Sequence, residues 1–171
     1  GLLITHIIGV WGNFFNRESF GCYTDSLFAM QIPADIVHPG QITETIEEHL
    51  VTVGDVSYIQ VHPLFLYESL WCLLLFLVLL VYTRRKTYQG EVFLRYLAGL
   101  GLGGAGIEWL RTDALKIPGT DFPVFLPVCA LLFLICGVSA TVRRVLWKKR
   151  EAGRRRRREE RYAAEEKATL N

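Results

Sequence analysis

The sequence predicts an all-α integral membrane bundle with a small extracytoplasmic β-hairpin element. Three observations carry that expectation: long apolar stretches almost free of charge, basic clusters directly behind two of them, and one short alternating segment around a Gly-Asp pair. Residues 122–142 contain no charged side chain and, at about 1.5 Å per residue, are long enough to cross a hydrocarbon core about 30 Å thick. Residues 64–83 have similar length with only Glu68 inside, near one end, where water or headgroups can solvate a carboxylate. Residues 93–110 hold Gly99, Gly101, Gly103, Gly104 and Gly106, the pattern of a span packed tightly against its neighbours. With 51% hydrophobic and 21% charged residues, the composition is that of a folded chain and excludes disorder.

Residues 1–15 read as a truncated first transmembrane segment. They are apolar from Gly1 onward, with no initiating Met and no basic stretch leading to a small-residue cleavage site, so the expectation is the second half of a helix and not a signal peptide. Arg84, Arg85 and Lys86 follow one span; Arg143, Arg144, Lys148, Lys149 and Arg150 follow the last. Such clusters mark cytoplasmic span ends. The first segment is therefore expected to run outward, residues 16–61 to form an extracytoplasmic loop, 64–83 to return, 93–110 to go out and 122–142 to come back. Residues 143–171 are left as a charged cytoplasmic tail. On charge alone, the run Arg154 to Arg158 can bind anionic lipid or nucleic acid, but its place directly behind a span favours a solvated helical extension that fixes topology. A net charge of +2 makes no case for nucleic acid as a partner. Cys22, Cys72, Cys129 and Cys136 form no CxxC pair, so neither a metal site nor a disulfide framework is inferred, and no cofactor is called for.

Polar chemistry gathers in three places, all on the predicted outer side. The first runs from Gly9 to Gly21, where Asn13 and Asn16 could present amides on one helical face and Glu18 follows among aromatics. Polar caps at a helix end would use the same residues. In the outer loop, alternation on both sides of Gly54-Asp55 suggests the hairpin, while His38 and His49 lack ligand spacing and read as surface histidines. The second place is His62-Pro63 with Leu66-Tyr67-Glu68. Pro63 suits the first turn of a helix, His62 has the character of a cap, Tyr67 can anchor at the interface, and Glu68 needs a partner, in an ion pair or a ligand. The third is Glu108, Arg111 and Asp113, in which Glu108 and Arg111 are placed for a local pair or for an outer polar pocket.

At these residues the chain resembles the prolipoprotein diacylglyceryl transferases, integral membrane enzymes of bacteria. The family signature Gly-Arg-x-Gly-Asn-Phe-x-Asn-x-Glu-x-x-Gly is matched by Gly9, Gly12, Asn13, Phe14, Asn16, Glu18 and Gly21. His62-Pro63 with Leu66-Tyr67-Glu68 and the set Glu108, Arg111, Asp113 resemble two further family elements. The resemblance implies a multi-pass protein of the bacterial cytoplasmic membrane, with phosphatidylglycerol, prolipoprotein signal peptides bearing a lipobox cysteine, and membrane lipids as partners. It implies transfer of diacylglyceryl from phosphatidylglycerol to the cysteine thiol. A thiolate must displace a phosphate ester oxygen at carbon, which requires a base and donors or cations for the leaving phosphate. Glu18, His62 and Glu108 are the candidate proton-handling residues; Asn13, Asn16, Gly21, Tyr67, Glu68, Arg111 and Asp113 are the candidate substrate-binding ones, with Gly21 expected to admit lipid. Two family arginines are replaced, by Val10 and Gly104, and both are suited to bidentate phosphate binding. The expectation is therefore an impaired or inactive transferase. The alternatives are a non-catalytic remnant that binds lipid or lipoprotein precursor and, last, a transporter fragment, which would place its polar groups near the midplane.

Overall fold

Helix α1 (Leu2–Gly9) and the short α2 (Trp11–Asn16) form the opening segment, with Val10 between them in helical conformation. The structure, a computed structural model, describes residues 1–112, 114 and 122–169. A loop domain follows, containing β1 (Met30–Pro33), α3 (Glu44–Glu47), β2 (Val51–Val53) and β3 (Val56–Val61). Three long helices complete the order: α4 (Leu64–Thr83), α5 (Glu91–Leu110) and α6 (Phe125–Thr169).

The loop domain is a three-stranded antiparallel sheet in the order β1-β3-β2. Its hairpin turns where Gly54 adopts φ 64°, and Val53 pairs with Val56 on either side. Period-2 alternation of β3 sends Ile59 and Val61 inward, where they meet Phe20, Ile32, Val37 and Ile46 in a small core. β1 was not expected: four residues ending in Pro33 carry little strand signal, and Ile32 is recruited by pairing opposite Ile59. β2 is exposed throughout, as an edge strand can be.

Helix α4 begins directly behind Pro63, which occupies the cap position without a side-chain cap bond. The cap role expected of His62 is therefore not taken; its ring turns elsewhere. Gly90, at φ 86°, makes the reversal into α5, a conformation that costs glycine little. α5 then lies between α4 and α6, using two faces of small residues. Gly99 and Gly103 meet Leu75 and Trp71 of α4, and Trp71 Nε1 donates to the Gly99 carbonyl at 2.9 Å. Gly101 faces α6, where an added Cβ would lie 2.6 Å from the Cys129 carbonyl oxygen and 2.7 Å from the Phe133 nitrogen.

By length and composition, α4 and α6 are helices able to cross a membrane; α5 matches α4 in length but not in apolarity, because glycine, Arg95 and Glu108 dilute it. The apolar window of α6 is only 11% buried within the protein, against 33% for α4, so α6 presents most of its apolar surface outward. α6 does not end at the charge boundary near residue 142. It continues as one helix of 45 residues, about 67 Å long, since arginine, glutamate and alanine are strong helix formers and Arg155 pairs with Glu151 at 2.9 Å.

A buried carboxylate locks the end where α4 turns into α5. Glu91 is fully buried and accepts from the Tyr82 hydroxyl, from the Thr87 N–H at 2.6 Å and from Arg95 at 3.4 Å, while Arg144 of α6 stands 3.4 Å away and also donates to Tyr82. Burial pushes its pKa up, but the hydrogen bonds from Tyr82, Thr87 and Arg95, with the charge of Arg144, more than offset this and hold it below the ordinary carboxylate range.

Candidate functional site

Three segments distant in sequence meet where α4 begins and α5 ends. After α2 the chain reverses through Arg17 at φ 58° and Ser19 at φ 57°, two non-glycine residues in the left-handed region within one short turn. Each costs about 1–2 kcal/mol, so the turn must be held by its surroundings. Glu18 N–H donates to the Asn13 carbonyl at 3.0 Å, Arg17 N–H to the Phe14 carbonyl at 3.2 Å, and Asn16 Nδ2 to Glu18 Oε1 at 2.7 Å. Asn16 thus orients the Glu18 carboxylate. Asn13 is half-buried, and its side chain makes no hydrogen bond among the described residues.

Beyond the turn the backbone stitches the three segments together. Gly21 N–H donates to the His62 carbonyl at 2.9 Å, His62 N–H to the Cys22 carbonyl at 3.1 Å, and Cys22 N–H to the Leu110 carbonyl at 3.0 Å. Side chains add to the seam: Arg111 Nη2 donates to Ser19 Oγ at 2.9 Å, and Thr112 Oγ1 to the Phe20 carbonyl at 3.2 Å. A Cβ at Gly21 would lie 2.7 Å from His62 Cβ and 3.0 Å from the Leu110 oxygen. Close approach of the three segments is therefore what demands glycine there. The space expected to admit lipid at Gly21 is filled by His62, Leu64 and Leu110.

His62 Nδ1 lies 3.0 Å from the Tyr67 hydroxyl, which fixes the ring's orientation. Glu68, one turn into α4, meets His6 of α1, with Nε2 and Oε1 2.7 Å apart. Sequence reasoning assigned no role to His6; the only available signal was that Glu68 needs a partner. Trp11 Nε1 donates to Ser69 Oγ at 3.3 Å, and Phe14 and Trp11 pack on Phe65 at centroid distances of 4.9 and 5.2 Å, so α2 is clamped to α4.

Glu108 is 6% exposed, and its Oε1 has no hydrogen-bond partner among the described residues. α5 ends at Leu110, and Arg111 leaves it in extended conformation to reach Ser19. Asp113 lies outside the described residues. At the two positions where the resemblance leads one to expect arginine, Val10 is buried, and an added Cβ at Gly104 would lie 3.0 Å from Cys129 Sγ. Arg17 lines a cavity of about 310 Å³ beside the turn, together with Phe14, Phe15, Met30 and Ile32. The turn and the junction thus carry two carboxylates, an imidazole and cations, of which Arg17 lines the hollow; such groups can move a proton and receive an anion.

A sequence model of the family described as Prolipoprotein diacylglyceryl transferase matches residues 1–142. Among curated proteins, the chain is 37% identical over 145 residues to a phosphatidylglycerol–prolipoprotein diacylglyceryl transferase of Listeria innocua, covering 84% of this chain and 46% of the relative. It is 33% identical over 141 residues to the protein of that name from Clostridium novyi, with 82% and 48% covered, and 36% identical over 146 residues to that from Synechococcus elongatus, with 80% and 45% covered. No solved structure matches. The chain spans about half the length of the curated relatives it matches. Over the stretch that contains all three converging segments, it belongs to the prolipoprotein diacylglyceryl transferase family.

Proposed function

We propose that this chain is the motif-bearing part of a phosphatidylglycerol–prolipoprotein diacylglyceryl transferase in a bacterial cytoplasmic membrane, with the three-segment junction on the extracytoplasmic side and the basic end of the helices inside. The observation that supports this reading best is the junction itself, in which Gly21 and Cys22 are joined by backbone hydrogen bonds to His62 and Leu110, with Glu18, Glu108 and Arg111 close by in the same three segments. The substrates are phosphatidylglycerol and a prolipoprotein signal peptide with a lipobox cysteine.

In the reaction, the cysteine thiol loses its proton and its sulfur attacks the glycerol carbon that bears the phosphate ester. The carbon–oxygen bond breaks, a thioether forms, and glycerol phosphate leaves with the bonding electrons. Glu108, buried with an oxygen unpartnered among the described residues, has an acceptor free for a substrate proton or donor. Glu18, oriented by Asn16, is the exposed counterpart, and His62, fixed by Tyr67, is the third proton-handling group. Asn13 and Arg17 supply donors for headgroup oxygens.

The same reading makes the chain an impaired transferase. Val10 is buried where the family has an arginine, and Gly104 stands against Cys129 where a second would project. The test is transfer of radiolabelled diacylglyceryl to a lipobox peptide by a full-length chain carrying Val10 and Gly104, compared with Val10→Arg/Gly104→Arg in the same background. Transfer only after restoration supports a disabled transferase. Equal transfer in both removes the impairment reading, and none in either removes the transferase reading. Val10 and Gly104 also favour a second reading, a lipid- or precursor-binding remnant, which binds the lipobox peptide without transfer even after restoration.

A further inference from the structure

The basic end of the helices holds a groove that the candidate site does not use. Two cavities of about 710 and 520 Å³ run along α6 and share Thr87, Trp147 and Arg150 in their walls. Lys86, Arg143, Arg150, Arg154 and Arg158 line them, and none of these has a carboxylate within ion-pair distance among the described residues. Arg155, in the same wall, is paired with Glu151.

Four features separate this groove from a solvated charge run. Its floor is fixed, because the buried Tyr88 donates from its hydroxyl to the Ala140 carbonyl at 3.2 Å and so holds the turn of residues 84–90 against α6. Nearby negative charge is already used: Glu91 is buried and answered by Tyr82, Thr87, Arg95 and Arg144, which leaves the field of the remaining cations uncompensated. The groove is also amphipathic, with Leu146 and the indole of Trp147, 44% exposed, set among the cations. Finally, Trp147 stands five residues beyond Val142, the end of the uncharged stretch. That is about 7 Å along the helix, which matches a headgroup layer of about 5–7 Å per leaflet.

We propose that this groove binds the phosphorylated headgroup of an anionic phospholipid, with the arginine forks on the phosphate and the Trp147 indole among the headgroups. It lies at the other end of α4 from the three-segment junction, about 30 Å away, so the lipid held there is a fixed ligand and not the reacting one. Nucleic acid fits less well, since Glu159, Glu160 and Glu165 follow the basic run and would repel a longer polyanion.

The test reconstitutes the full chain in phosphatidylcholine nanodiscs with a rising fraction of phosphatidylserine, an anionic lipid that is not the donor proposed for the junction. Trp147 fluorescence is read as the difference between the unaltered chain and Trp147→Phe, which cancels the other tryptophans. A saturable change is expected with phosphatidylserine and not with phosphatidylcholine alone. Its midpoint should rise roughly tenfold in Arg143→Gln/Arg150→Gln, and less than about twofold in Arg84→Gln/Arg85→Gln, which removes the same charge outside the groove. Equal weakening by the two double variants overturns the site in favour of diffuse attraction, and absence of any saturable change overturns it outright. Displacement by soluble inorganic phosphate, or by a single-stranded oligonucleotide, at concentrations below the lipid midpoint overturns the assignment to lipid.

Discussion

Helix α5 buries a glutamate at each end and treats the two oppositely. Glu91, at its start, is inaccessible and answered by a tyrosine, a backbone N–H and two arginines. Glu108, at its end, is nearly as deep, yet one oxygen has no partner among the described residues. A buried carboxylate with every acceptor filled is a fastener, because removing it strands the cations gathered around it. A buried carboxylate left short is a standing cost of about 1–3 kcal/mol, tolerated where another group is to complete it. On the proposed function, the two ends serve different purposes: one holds the helices together, and the other keeps a polar group available.

Four experiments would break or sharpen that contrast. The largest effect is expected at the available end, where Glu108→Gln in the Val10→Arg/Gly104→Arg background should lower diacylglyceryl transfer by about 10²–10⁴-fold while the unfolding midpoint in detergent barely moves. A large loss of stability instead would make Glu108 a second fastener. At the fastened end, Glu91→Gln should cost about 3–5 kcal/mol of stability in denaturant titration. Because the Glu91 carboxyl is held below its ordinary range in the folded chain, its contribution is present above the ordinary carboxylate pKa and is lost as pH falls through the depressed folded value; the gap between the two proteins should close in that acid range and nowhere above it. A gap independent of pH would show that Glu91 acts through packing alone.

A smaller cost attaches to the seam between the segments. Gly21→Ala should destabilise by about 1–3 kcal/mol, and hydrogen exchange at the amides of Cys22 and His62 should accelerate, since the new methyl group must push His62 away. Unchanged exchange would mean that the seam yields elsewhere. The smallest effect is expected at the strained turn, where Arg17→Gly should stabilise by about 0.5–1 kcal/mol by relieving the left-handed arginine. A loss of stability there would place the value of Arg17 in its side chain and not in its backbone.

Much of the helical layout was legible because its signals are local. An apolar run with a single charge near its start, a proline in front and arginines behind mark out α4, and alternation around Gly54-Asp55 marks the hairpin. Where the outcome depends on contacts distant in sequence, the signal fails. β1 exists because Ile32 finds Ile59, and nothing within Met30–Pro33 announces it. The helical extension behind the last span was legible for a local reason too: the change from apolar to charged side chains marks a change of solvent, and a backbone made of good helix formers does not break there. In the site, Glu68 announced its need, but His6, the residue that meets it, is separated from it by the whole loop domain and looks like one polar residue in an apolar run. The basic clusters put all three polar segments on one side, but which backbone atoms join them was not legible. Spacing along a chain does not say which ends meet.

The seam has one more consequence. Cys22 and His62 pair with each other, Tyr23 bridges Val61, and Thr24 N–H donates to the Gln60 carbonyl at 3.3 Å, so the loop domain leaves and re-enters the helices through a single narrow neck. The neck lets the exposed edge strand and turns beyond it vary in length and sequence while the helix ends stay joined, whereas Met30 and Ile32, which wall the hollow beside Arg17, are tied to the site.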